Sequence, residues 1–376
     1  FTLREIQAES FEYKKDTFVL FVDFKQAYDR IKRQKLYEAL RELGMKNKLI
    51  KMIKLTLKDT DNRVRIKGKK KDSLSPILFN CALEYVIRKA NLNRSGLLYH
   101  KSHQCLAFAD DVAILTRSRT ALHKAMVNLE EEAQKMGLQI NEDKTKLMTW
   151  TEKEYDSLGE LRVNTNTGKT YRFKEVETFT YLGTEFYRKP DMTREIQSRI
   201  MAGNRSIYAF RNIMNRNSSR GLKLRVYKTI IRPIVIFASE TWTLGINTQK
   251  MLKIWERKVL RKIYGGKKTE DGWERRTNNE LAELYHEPNI VAIVKGQRLR
   301  WFGHVMRMKE ERVPKKILES GIGGKRRQGR PRTRWKEDVL KDIAEANIAN
   351  WRKKLKNRKE WREAINQAMG QLGLEC

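Results

Sequence analysis

Two adjacent acids, Asp110 and Asp111, stand between short apolar runs, Gln104-Cys105-Leu106-Ala107 before Phe108-Ala109 and Val112-Ala113-Ile114-Leu115 after. Apolar runs of that length read as buried strands, so the spacing predicts a hairpin with the acids at or near its turn. Acids buried at a strand tip are costly unless compensated, and a divalent cation compensates them well. Most Asp-Asp pairs are solvated turns or helix caps, so this pair needs a partner to mean more. The run Thr17-Phe18-Val19-Leu20-Phe21-Val22-Asp23-Phe24 offers one. Its β-branched and aromatic residues predict a central strand buried on both faces and ending on an acid. A helix pattern follows, with Tyr28, Ile31, Leu36, Leu40 and Leu43 near helical spacing and Gly44 as the stop. If the two strands are sheet neighbours, Asp23, Asp110 and Asp111 converge, and without a cation at least one has a raised pKa. Two magnesium ions would relieve the repulsion, activate a 3′-hydroxyl and stabilise a leaving pyrophosphate. Two ordinary buried strands with solvated ends are the alternative.

Charge narrows the choice of partner. The 376 residues carry 80 Lys plus Arg against 46 Asp plus Glu, a formal net charge of +34. A field of that sign attracts phosphate backbones and makes binding salt-dependent. No stretch is apolar and long enough to span a bilayer, no signal peptide opens the chain, and no amphipathic anchor or lipidation signal stands out. Cys81, Cys105 and Cys376 are an odd number without paired spacing, which suggests a reducing compartment and core packing rather than disulfides or zinc. The expected location is intracellular, nuclear and cytoplasmic.

Three further segments complete the pattern. Lys71-Asp72-Ser73-Leu74-Ser75-Pro76-Ile77-Leu78-Phe79-Asn80 reads as a polar loop opening an apolar helix, with Ser75 as N-cap and Pro76 in the first turn. Gly137 to Lys146 ends a helix built on Leu122, Met126, Leu129, Ala133 and Met136 and enters a strand. Phe179-Thr180-Tyr181-Leu182-Gly183 lies between two β-like runs.

In this order and spacing the segments resemble the palm of a reverse transcriptase of the non-LTR, long interspersed element type of retrotransposon. Residues 21–29 look like the family's first catalytic motif, Asp72 to Pro76 its template-contacting loop and Phe108 to Asp111 its aromatic-x-Asp-Asp hairpin. Gly137 to Lys146 is similar to the motif that follows, and Phe179 to Gly183 to the primer-grip turn. Further along, Tyr227-Lys228-Thr229-Ile230-Ile231-Arg232-Pro233 and Arg300-Trp301-Phe302-Gly303-His304-Val305 resemble the region after the palm, so the likeness covers nearly the whole chain.

The resemblance implies an α+β right-hand polymerase: residues 1–188 as palm with partial fingers, 189–266 as helical thumb, and 267–376 as a basic C-terminal region that binds nucleic acid. It implies RNA-templated addition of deoxynucleotides to a DNA 3′ end. The partners would be an RNA template, a DNA primer or target and deoxynucleoside triphosphates. Asp23, Asp110 and Asp111 would hold two Mg2+ ions, for which Mn2+ could substitute. Phe24 would offer its backbone to the triphosphate, with Lys70, Ser75 and Pro76 also lining the nucleotide. Tyr28 would stand as a gate against the sugar 2′-hydroxyl, or as a core tyrosine on an apolar helix face. Lys144 would neutralise or protonate pyrophosphate, or remain a solvated lysine. Tyr181, Leu182 and Gly183 would hold the primer end, or form a plain hairpin.

Two departures from the family stand out. Lys70 and Lys71 occupy the place of its usual glutamine-glycine pair. The chain opens at Phe1, downstream of the family's basic finger segments, which suggests a fragment of a longer polyprotein. A catalytically decayed polymerase fold that only binds nucleic acid is therefore the alternative.

After a basic helical stretch to Tyr264, Gly265-Gly266-Lys267-Lys268 reads as a flexible, charged joint. Lys325, Arg326, Arg327, Arg330, Arg332 and Arg334 form the most basic run, read as an extended nucleic-acid contact or a nuclear-import signal. Trp335, Trp351 and Trp361 could stack on bases, although Trp335 at helical spacing with Val339, Leu340 and Ile343 also fits a small core.

Overall fold

A computed structural model describes residues 1–26, 30–58, 74–92, 105–153, 159–215, 217–319 and 334–374. They divide into two compact units, one from Glu9 to Lys189 and one from Phe1–Ala8 with the described residues from Pro190 onward.

The first unit begins in helix α1 (Thr2–Glu12), which starts in the other unit, and continues through β1 (Thr17–Val22), α2 (Arg33–Glu42), α3 (Asn47–Lys58) and α4 (Leu74–Lys89). Then come β2 (Cys105–Phe108), β3 (Asp111–Thr116), α5 (Arg119–Met136) and β4 (Lys146–Trp150). Two hairpins close it, β5 (Glu160–Asn164) with β6 (Thr170–Lys174), and β7 (Thr178–Tyr181) with β8 (Thr184–Tyr187). The four-stranded antiparallel sheet has the order β2-β3-β1-β4. β1 is central, as its apolar run predicts, and alternation divides its side chains between two faces. Leu20 and Val22 join the core formed with α2, α4 and α5. Phe21 faces the other way and stacks on Phe179 at 4.3 Å between ring centroids.

Local chemistry explains the helix boundaries. The Ser118 side chain accepts from the Ala121 N–H at the start of α5, and Gly137 ends it with φ +95°, the left-handed C-cap that favours glycine. α2 begins at Arg33, later than the apolar spacing predicts. The Lys32 N–H donates to the Met136 carbonyl at 2.9 Å, so the chain there runs against the end of α5 instead of entering the helix. Ser75 is not the N-cap of α4: Leu74 already belongs to the helix, and Ser75 and Pro76 lie within its first turn. Proline is tolerated there because those N–H groups have no intrahelical acceptor.

The second unit is mostly helical. α6 (Met192–Ala209) and α7 (Arg220–Val226) lead through a π-helical turn (Tyr227–Ile231) into α8 (Arg232–Val235), then α9 (Ile246–Tyr264). The strands β9 (Lys267–Thr269) and β10 (Gly272–Glu274) form an antiparallel hairpin, so Gly265 to Lys268 is a helix C-cap running into a strand rather than a loose joint. α10 (Asn278–Tyr285), α11 (Ile290–Met306), α12 (Val313–Glu319), α13 (Trp335–Glu345), α14 (Trp351–Lys356) and α15 (Arg358–Leu374) complete it. α11 serves two cores. Its first turns pack with α9 around Trp242 and Trp255, its last turns with α13 and α15 around Trp335 and Trp361.

Trp335 is a core residue, as its helical spacing predicts, and Trp361, expected as a base-stacker, is one as well. The Trp361 indole donates to the Leu299 carbonyl at 2.9 Å and the Trp335 indole to the Glu240 carbonyl at 2.8 Å. Trp351 is half-buried against Phe302. No described helix is long and apolar enough to cross a membrane.

Candidate active site

Two apolar strands deliver acids to one end of the sheet. Asp23 follows the last residue of β1, and Asp111 opens β3. Val22 pairs with Val112 in the register between them, so both acids sit at the limit of that pairing. β2 and β3 close through Ala109-Asp110, the two residues between the paired Phe108 and Asp111. Ala109 adopts φ +51°, a backbone that tight hairpins require and that costs a non-glycine residue roughly 1–2 kcal/mol. The buried run Val112 to Leu115 anchors the hairpin, while Phe108 is 67% exposed at its tip.

Each acid is held differently. Asp23 Oδ2 accepts from Asn141 Nδ2 at 3.1 Å. Its backbone N–H donates to Thr145 Oγ1 at 3.2 Å, and its carbonyl accepts from the Asn141 N–H at 2.8 Å. Phe24 bridges to Ile140 and is buried in the core, so the segment before β4 clamps the end of β1 at consecutive residues. Sequence reasoning gave Asn141 no role. Its signal is its place in the Gly137 to Lys146 segment, where a short amide can both bond the carboxylate and accept the Lys144 N–H at 3.4 Å.

Among the described residues, the Asp110 and Asp111 carboxylates have no hydrogen-bond or ion-pair partner. Partial burial, then the negative charges of Asp110 and Asp23, push the Asp111 carboxyl above the usual carboxylate range. The tip therefore carries concentrated negative charge.

The second hairpin braces this tip. Tyr181 Oη donates to the Asp111 carbonyl at 3.3 Å, and its ring lies 5.4 Å from Phe21. Burial first, then Asp111, raise the pKa of the phenol, so it remains a donor. Leu182 and Gly183 form the β7–β8 turn with φ +49° and +72°, the paired positive values of a type I′ turn.

Of the residues singled out from sequence, Asp23, Asp110, Asp111 and Tyr181 come together. Lys144 is exposed, with no bond to these acids among the described residues. Ser75 and Pro76 occupy the first turn of α4, and Arg334 precedes α13. Tyr28, Lys70 and Lys71 lie outside the described residues, as do Lys325, Arg326, Arg327, Arg330 and Arg332.

Three carboxylates with excess negative charge suit a hard divalent cation with oxygen ligands. Among the described residues, no three His, Cys, Asp or Glu side chains form a ready-made cage. Magnesium is usually held by one or two carboxylates, with water and substrate phosphates completing the shell.

Residues 2–186 match the family model of reverse transcriptase (RNA-dependent DNA polymerase). The chain is 23% identical over 239 residues to a transposon-derived protein of Caenorhabditis elegans, a match covering 62% of this chain and 83% of that protein. It is 27% identical over 138 residues to the retrovirus-related Pol polyprotein from type-1 retrotransposable element R2 of Nasonia vitripennis. That second match spans 34% of this chain and 14% of the polyprotein.

Proposed function

Because residues 2–186 belong to the reverse transcriptase family, in its non-LTR retrotransposon branch, we propose that this chain extends a DNA primer by copying an RNA template. The observation that carries this reading is the arrival of Asp23 and the Asp110-Asp111 pair, from strands far apart in sequence, at one end of one sheet. Asp23, Asp110 and Asp111 would hold magnesium, which when bound supplies charge for the attacking hydroxyl and the leaving pyrophosphate. Asn141 orients the Asp23 carboxylate, and Tyr181 holds the backbone of Asp111.

The unit from Glu9 to Lys189 acts as palm with partial fingers, and α6 to α9 as the thumb on the primer–template duplex. Residues 267–376 form a basic region for nucleic acid. Phe24 offers its backbone to the triphosphate, and Ser75 and Pro76 line the nucleotide. Leu182 and Gly183 turn the hairpin that supports the primer end, and Lys144 meets the pyrophosphate. The +34 net charge of the chain supports a polyanionic substrate.

Primer extension on an RNA template tests the reading. Deoxynucleotide incorporation is expected with magnesium, and Asp110→Asn should reduce it by on the order of 10²–10³, the loss that follows removal of one charge-stabilising group. Equal extension by both proteins would remove Asp110 from the catalytic centre, and none by either would leave a nucleic-acid-binding fold without chemistry.

A further inference from the structure

Of the chain's 8 tryptophans, five are buried, two are half-buried, and Trp273 is 76% exposed. It stands in the middle of β10, directly across from Lys268 on β9. Opposed residues share a face, so the indole and this ammonium lie on the same side of the ribbon. The pair Glu274 and Lys267 takes the other side, where Lys267 is bound to Glu280 at 3.1 Å. Gly266 gives the ring its room: a Cβ there would come within 3.3 Å of Trp273 Cε3.

Arginines gather where the end of α9 meets the chain leaving β10. Arg261, in the last turn of α9, is pinned to the chain leaving β10, with Nε donating to the Arg276 carbonyl at 3.1 Å and Nη2 to Asn278 Oδ1 at 2.7 Å. Burial, then the charges of Arg275 and Arg257, push the Arg261 pKa below the ordinary guanidinium value, so like charges crowd there. Arg276 Nε is buried with no hydrogen-bond partner among the described residues. An open indole beside an ammonium on one face of the ribbon, with guanidiniums on the chain that leaves its strand, suits a base with its phosphates.

We propose that the β9–β10 hairpin binds an unpaired nucleotide of single-stranded nucleic acid, with Trp273 stacking on the base and Lys268, Arg261 and Arg275 meeting the phosphates. This rests on the nucleic-acid substrate of the reading above but not on its chemistry.

The test is fluorescence anisotropy of the full chain in EDTA with labelled oligo-dT and oligo-U of about 12 nucleotides, within the usual range of single-strand sites. Trp273→Ala should weaken binding about tenfold to one or both probes, Trp273→Phe should recover most of it, and Arg275→Gln should lower the slope of log affinity against log salt by about one. An abasic probe should bind wild type as weakly as Trp273→Ala binds the normal probe. The abasic comparison uses wild type alone and so does not depend on how the variant folds. Equal affinity of wild type for abasic and base-bearing probes, or an equal loss in Trp273→Ala with both, would overturn the proposal. No nucleotide is incorporated in this assay. A chain that binds as expected yet extends no primer would therefore overturn the polymerase reading and leave this one standing.

Discussion

At the scale of single residues, the acid-bearing end of β1 depends on a glycine elsewhere in the chain. Gly137 holds φ +95°, and a Cβ added there would fall 2.5 Å from the Arg30 carbonyl oxygen. That atom is backbone and cannot swing aside, so Gly137→Ala combines left-handed strain with overpacking. The expected loss is about 2–4 kcal/mol of stability, read as a lower urea midpoint at unchanged slope. A midpoint within about 0.5 kcal/mol of wild type, the range of innocuous surface changes, would mean that residues 30–32 do not pack on this cap. Gly137 opens the loop that carries Gln139, Ile140 and Asn141 to the end of β1, so the variant should also lose activity.

At the scale of elements, three pieces of the second unit meet at Glu256 on α9. Tyr227 Oη, from the π-helical turn, donates to it at 2.7 Å, and the Ile290 N–H at the start of α11 donates at 2.7 Å. Burial outweighs these bonds and raises the Glu256 pKa above the usual carboxylate range. A carboxyl with a raised folded pKa binds more protons folded than unfolded, so its contribution is full below pH ~4.3, the unfolded value, and is lost as pH rises through the folded pKa. Glu256→Gln can accept from Ile290 through its oxygen and donate to Tyr227 through its amide. Urea titrations across that window should show the wild type losing stability relative to Glu256→Gln as pH rises. A difference independent of pH would refute the shift.

Elements whose signals are local were legible in the sequence. β1 and α5 announce themselves by apolar period, and the Asp-Asp hairpin by its flanking runs. Elements that depend on distant partners were not. The β9–β10 hairpin is short and polar, with nothing in its own residues to separate it from a glycine-rich joint. Trp361 shows the same limit: it shares the basic company of Trp273, and only the packing of α11 against α15 removes it from solvent, whereas the helical spacing of Trp335 with Val339 and Ile343 already marks a core position. Within the site, the acids and Tyr181 were legible, whereas the bond from Asn141 to Asp23 emerges only when the segment before β4 meets the end of β1.

At the scale of the whole molecule, the charge of +34 favours any nucleic acid, and the catalytic claim rests on whether acids from two strands act as one site. A double-mutant cycle on RNA-templated single-nucleotide incorporation, with magnesium present, measures this. Each of Asp23→Asn and Asp110→Asn should lose most of the rate, and the double variant should be scarcely worse than either, because groups that act as a unit are grossly non-additive. Losses that multiply, or a single variant that keeps the wild-type rate, would show that Asp23 and Asp110 do not share a catalytic centre.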